Sequence, residues 1–170
     1  MSDPLLQNGF YLIGGAYNTL LLAEYNGRVT VESGGGVAPA PEQIWVVTNL
    51  SDHVGNEGYI RIENNMTTNK VCAKRGPGNP PVEPPERGGN VFPAARNVQD
   101  YDYALWKPTR IGPDLMNMSL TNHNSITDGN NHAMVLNIRG DKWGELDDVI
   151  TWEWSGGKPN ELWLFQFLHR

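Results

Sequence analysis

Three tryptophans, each preceded by an apolar residue, recur along the chain at nearly equal spacing. They close the segments Gln43-Ile44-Trp45, Ala104-Leu105-Trp106 and Glu161-Leu162-Trp163, and the rings stand 61 and 57 residues apart. A period of this kind constrains architecture strongly, because a repeated unit buries its apolar face against its own copies. Each copy opens with a short alternating run: Phe10-Tyr11-Leu12-Ile13, then Tyr59-Ile60-Arg61-Ile62, then Met116-Asn117-Met118-Ser119-Leu120. A second apolar run follows in each, at Leu20-Leu21-Leu22, Val71-Cys72-Ala73 and Met134-Val135-Leu136. A third lies at Val29-Thr30-Val31 in the first copy and from Val149 to Trp154 in the last.

Period-two alternation over four to eight residues reads as strand, and no long window carries helical periodicity. Turn-forming residues separate the runs, among them Asn26-Gly27, Gly34-Gly35-Gly36, Gly112-Pro113, Asp128-Gly129 and Gly156-Gly157. The pattern predicts an all-β domain over residues 1–170 with three pseudo-repeats of four strands, at about 9–50, 58–110 and 115–168. Three such units close into a pseudo-threefold barrel, since one alone cannot bury its apolar face. The second unit departs from the pattern over Gly76 to Asn90, whose prolines and glycines predict a surface loop that leaves the third unit untouched. Its third strand is expected near Val91 to Ala95.

A chain of 170 residues with 39% hydrophobic residues supports one core of this kind. The net charge of −6, without a dense Lys/Arg run, argues against nucleic acid as a partner and against anionic membrane. No apolar stretch reaches spanning length and no basic start precedes an apolar run, so the expectation is no membrane insertion and a cytoplasmic location. The single cysteine, Cys72, rules out an intrachain disulfide. The four histidines show no metal-ligand spacing, and no nucleophile elbow or phosphate-binding loop is present. The residues point to a binding protein with no cofactor and no metal, and not to an enzyme.

A threefold repeat closing in Gln-x-Trp resembles the ricin-B type, or R-type, lectins, including fungal ones, and the resemblance extends over nearly the whole chain. It implies a β-trefoil fold and glycans or glycoconjugates as partners. The third repeat carries it best, with Met134-Val135-Leu136-Asn137-Ile138 similar to the strand that bears the sugar-binding acid and Pro159-Asn160-Glu161-Leu162-Trp163 similar to the Asn-Gln-x-Trp close. Carried over residue by residue, Asn137 takes the acid position, Trp152 the aromatic that stacks on the sugar, and Asn160 the assisting position, with Glu161 where the family has Gln. Trp143, in a polar loop, is expected to line the same pocket. Such a set makes chemical sense, because a sugar presents a face of C–H groups and a rim of hydroxyls. An amide at position 137 lacks the charge assistance of a carboxylate, which Asp141, Asp147 or Asp148 could supply from the adjacent loop. The first two repeats place Ala23 and Ala73 at the acid position and are expected to bind nothing there.

A second resemblance is to the fungal β-trefoil protease inhibitors, including the mycocypins. It implies a protease partner, engaged through Gly14-Gly15 directly after the first strand or through Arg28 in the Asn26-Gly27-Arg28 turn. A homodimer is compatible with either reading.

Overall fold

The computed structural model describes residues 5–17, 19–34, 38–50, 58–76, 85–95, 101–112, 117–124, 133–140 and 147–170. Among them are twelve strands and no α-helix: β1 Gly9–Gly15, β2 Leu20–Tyr25, β3 Arg28–Ser33, β4 Trp45–Asn49, β5 Ile60–Asn64, β6 Lys70–Cys72, β7 Phe92–Ala94, β8 Leu105–Arg110, β9 Met118–Asn122, β10 Met134–Ile138, β11 Asp147–Glu153 and β12 Trp163–His169. Single 3-10 turns at Pro41–Gln43, Tyr101–Ala104 and Pro159–Glu161 lead into β4, β8 and β12.

The antiparallel pairings close a ring. Strand β1 pairs with β4, β4 with β5, β5 with β8, β8 with β9, β9 with β12, and β12 returns to β1. Six strands thus form a barrel, and closure leaves it without an edge. The remaining strands form three hairpins, β2–β3, β6–β7 and β10–β11, each joined to the barrel by one pairing: Gly14 with Leu21, Glu63 with Lys70, Thr121 with Val135. Six barrel strands and three hairpins in threefold arrangement make this a β-trefoil.

The repeated tryptophans are the hinge between barrel and hairpins. Trp45, Trp106 and Trp163 are almost fully buried. Their indole N–H groups donate to the Leu22, Val71 and Leu136 carbonyls at 2.8, 2.9 and 2.9 Å, each on the second strand of its own repeat. A large ring with one donor fills the centre and satisfies a buried carbonyl at once. Ile13, Ile62 and Leu120, fully buried on β1, β5 and β9, form the matching barrel layer. Two residues beyond the last two of these stand Asn64 and Asn122, whose Nδ2 atoms donate to the Glu42 and Tyr103 carbonyls (2.9 Å each) in the preceding 3-10 turns. This polar stitch recurs in two of the three repeats, and Gly15 stands at the matching position of the first.

Tyr11 packs edge-on against Phe165 and Phe167, and its hydroxyl donates to the Gln7 carbonyl at 2.9 Å. Burial raises its pKa above the ordinary 10.0, against a smaller opposing effect of the Gln7 hydrogen bond. A raised acid pKa stabilises the fold below pH 10, and that stability is lost as the pH climbs through the folded-state value. Denaturant midpoints should therefore fall above about pH 10, and Tyr11→Phe should flatten that decline.

Two expectations need correction. The second-repeat loop is not a detached excursion: residues 77–84 lie outside the described residues, but the returning half is bound to β11. Gly88 N–H donates to the Thr151 carbonyl (2.7 Å), Thr151 N–H to that of Gly89 (3.1 Å) and Val91 N–H to that of Val149 (2.8 Å). Thr151 Oγ1 donates to the Glu86 carbonyl at 2.7 Å. The backbone of a Pro/Gly-rich segment still carries donors and acceptors, and here β11 takes them. Nor do Gly14 and Gly15 follow the first strand in a loop. They lie buried within β1, paired with Leu164 and Trp163 of β12. A Cβ on Gly14 would approach the Leu20 carbonyl oxygen to 3.1 Å, so glycine there permits the close entry of β2.

Candidate functional site

The register of the third hairpin decides which side chains meet. Asn137 on β10 stands opposite Ile150 on β11, and Val135 opposite Trp152. Directly paired residues share a face and side chains alternate along each strand, so these four share one face. The opposite face turns Leu136, Ile138 and Val149 into the core. Asn137, Ile150 and Trp152, together with Arg139, Gly140, Ser155, Lys158 and Asn160, line a cleft of about 350 Å³.

Asn137 and Asn160 are brought together as expected. Asn160 Nδ2 donates to Asn137 Oδ1 at 2.9 Å and to the Ile138 carbonyl at 3.3 Å. Among the described residues, Asn137 Nδ2 and Asn160 Oδ1 have no partner, so the pair offers the cleft one amide donor and one carbonyl acceptor. Trp152 is 37% exposed, whereas Trp154, beyond the end of β11, is partly buried.

The second repeat fixes the Trp152 ring. The Arg87 guanidinium lies 4.5 Å from the ring centroid and pairs with Glu153 at 3.4 Å. Gly88, at φ 72°, sits where a Cβ would come within 3.1 Å of Trp152 Cζ3. A ring held by a cation and by bare backbone loses little freedom when a ligand stacks on it. Arg87 and Gly88 carry no sequence signal for this role, since their nearness to Trp152 depends on a long-range pairing.

Glu161 serves a different purpose from the one expected. It is fully buried and absent from the cleft lining. One carboxylate oxygen accepts from Ser155 N–H (2.9 Å) and the Ser155 hydroxyl, the other from Gly157 and Lys158 N–H (3.2 Å each). It therefore folds the β11–β12 connection that presents Ser155, Lys158 and Asn160, while all its own acceptors are occupied. Gln43 does the equivalent work in the first repeat, accepting from Ala40 N–H and donating to the Ser33 carbonyl. Glu161→Gln sets an NH2 group against donors that now meet a carboxylate oxygen, so it should cost about 2–4 kcal/mol, measurable as a shift in urea midpoint.

Trp143 and Asp141 lie outside the described residues. Asp148 does not reach the cleft as a free acid, because it is ion-paired with Arg28 across the β3–β11 pairing and stands 3.9 Å from Arg139 Nε. That same ion pair accounts for Arg28, which begins β3 instead of projecting from a loop. Both anchors of the inhibitor reading thus have structural duties.

The other two repeats differ at the same rung. The residue after each tryptophan-bonded carbonyl is Ala23, Cys72 or Asn137, so Cys72, and not Ala73, is the counterpart in the second repeat. Opposite these stand Thr30, Phe92 and Ile150, and the counterparts of Trp152 are Glu32 and Ala94. Among the described residues, only the third repeat combines an exposed tryptophan with amides. No three His, Cys, Asp or Glu side chains converge on a metal-sized site among the described residues.

The closed barrel with three hairpins defines the class, and comparison with solved structures agrees. ThreeFoil, a designed threefold-symmetric protein, superposes with a TM-score of 0.71 over 94% of this chain and 99% of its own, at 19% identity. The Macrolepiota procera ricin B-like lectin, solved with lactose, gives 0.65 over 96% and 98% at 10% identity. The Rhizoctonia solani agglutinin gives 0.66 over 96% and 97% at 13%. At such identities the likeness establishes the β-trefoil fold. No protein-family model matches the sequence, and no curated protein matches it in sequence.

Proposed function

We propose that the protein is a non-catalytic, carbohydrate-binding lectin whose glycan site is the cleft of the third repeat. The observation that carries the reading is the combination, on one face of the third hairpin, of an exposed, braced Trp152 with the Asn137–Asn160 amide pair. Trp152 supplies an apolar plate for the C–H face of a sugar, and the amides supply one donor and one acceptor for its hydroxyls. A cleft of about 350 Å³ is of the size that small ligands occupy. The Macrolepiota procera neighbour, solved with lactose, supports the same class of ligand.

Affinity for a single sugar should be modest, because neither amide is charged. A glycan array with the purified protein tests the proposal, with free saccharide as competitor. Saturable, competed binding to at least one glycan class is expected. An array without competable signal, from protein shown to be folded, contradicts it.

A further inference from the structure

We propose that the third-repeat cleft prefers saccharides bearing an oxyanion, a carboxylate or a sulfate ester, over their neutral counterparts. The inference rests on the saccharide reading of that cleft. Among the described residues, the charged groups lining it are Arg139 and Lys158, both cations. None of the carboxylates on the same elements, Asp147, Asp148, Glu153 and Glu161, lines the cleft: Asp148 pairs with Arg28 and stands 3.9 Å from Arg139 Nε, Glu153 pairs with Arg87, and Glu161 accepts from the four donors of its own loop. The whole chain carries −6, so this cationic lining runs against the overall charge.

Arg139 is already oriented. Its Nη2 donates to the Gly88 carbonyl at 3.0 Å and to Asn90 Oδ1 at 2.5 Å, both from the second-repeat loop. Among the described residues its Nη1 has no partner. A guanidinium whose plane is fixed, with Nε toward Asp148 and Nη1 left unused, is suited to an oxyanion, and little freedom is lost on binding. Lys158, exposed on the β11–β12 connection, has an ammonium without an ion-pair partner among the described residues. It adds a flexible point charge. The unpartnered Asn137 Nδ2 is a further donor. Such a cleft is rich in donors and poor in strong acceptors, which favours a ligand that accepts.

The test is calorimetry with lactose, sialyllactose and a sulfated lactose, at about 0.05 M and about 1 M salt. At low salt at least one charged form should bind about tenfold or more tightly than lactose, and that advantage should shrink as screening shortens to about 3 Å at 1 M. The two charged arms tell carboxylate from sulfate. Lys158→Gln should reduce the advantage several-fold, and Arg139→Gln should remove most of it. Because Arg139 also braces the loop, Lys158→Gln keeps the test decisive if Arg139→Gln does not fold. Lactose binding as tightly as both charged forms overturns the charge preference and leaves the saccharide reading standing. If none of the three binds, or if Trp152→Ala binds all three as the parent does, the underlying site is wrong and the preference falls with it.

Discussion

Trp163→Ala should lower the unfolding free energy by about 3–5 kcal/mol, the scale for emptying a tryptophan-sized volume in a packed core. The ring is fully buried, and its removal also strands the Leu136 carbonyl that its N–H satisfies at 2.9 Å. Domains of this size are stable by about 5–15 kcal/mol, so the variant should be partly unfolded under mild conditions. Trp163→Phe refills most of the space without restoring the donor, and should recover roughly half of the loss. Urea titration of both variants separates packing from the hydrogen bond. Because Trp45 and Trp106 make the same bond to Leu22 and Val71, their alanine variants should cost comparable amounts. A Trp163→Ala midpoint equal to the parent's would show that the repeated ring is not a core element.

Trp152→Ala should act on binding and not on folding. The ring is 37% exposed and its partner Arg87 is a surface cation, so stability should change by less than about 1 kcal/mol. Saccharide affinity should fall by about 1.5–3 kcal/mol, roughly ten- to a hundredfold, as the apolar plate disappears. Asn137→Ala should weaken binding by about 1–2 kcal/mol, since it removes a cleft donor and frees the Asn160 amide from its anchor at 2.9 Å. Calorimetry against the best array ligand, with circular dichroism to confirm folding, reads both.

The opposite fates of these tryptophans show what a sequence of this kind can disclose. Trp45, Trp106 and Trp163 were legible as core because an apolar residue before each ring recurs in register, and burial enforces such recurrence. Asn64 and Asn122 recur in two of the repeats, yet a polar residue at a strand end has many ordinary explanations until its Nδ2 is seen on the preceding turn. Asn137, Trp152 and Asn160 were singled out through the resemblance that the third repeat carries, and all three line one cleft. Glu161 was read as a ligand contact because exposure is not written in sequence. Its burial follows from four donors that the loop folds around it.

Glycine and proline were the least transparent. Gly14-Gly15 has the composition of a turn but lies in β1, where the Leu20 carbonyl of β2 comes within 3.1 Å of the place a Cβ on Gly14 would take. The segment before β7 has the composition of a free loop, but its returning half pairs with β11 and supplies Arg87 and Gly88 to Trp152. In both cases the deciding contact comes from a strand distant in sequence, which local composition does not encode. The misplacement of Ala73 for Cys72 has a similar origin, because three apolar residues in a row define a strand without defining which of them shares a face with the site.

The account stands or falls on saccharide contact at the third-repeat cleft, and nuclear magnetic resonance of the protein titrated with its best array ligand tests that contact directly. The side-chain amide signals of Asn137 and Asn160 and the Trp152 indole N–H should shift progressively and saturate together. The buried indole signals of Trp45, Trp106 and Trp163 should stay in place. Saturable shifts confined to the first two repeats, with Asn137, Trp152 and Asn160 unmoved, would contradict it.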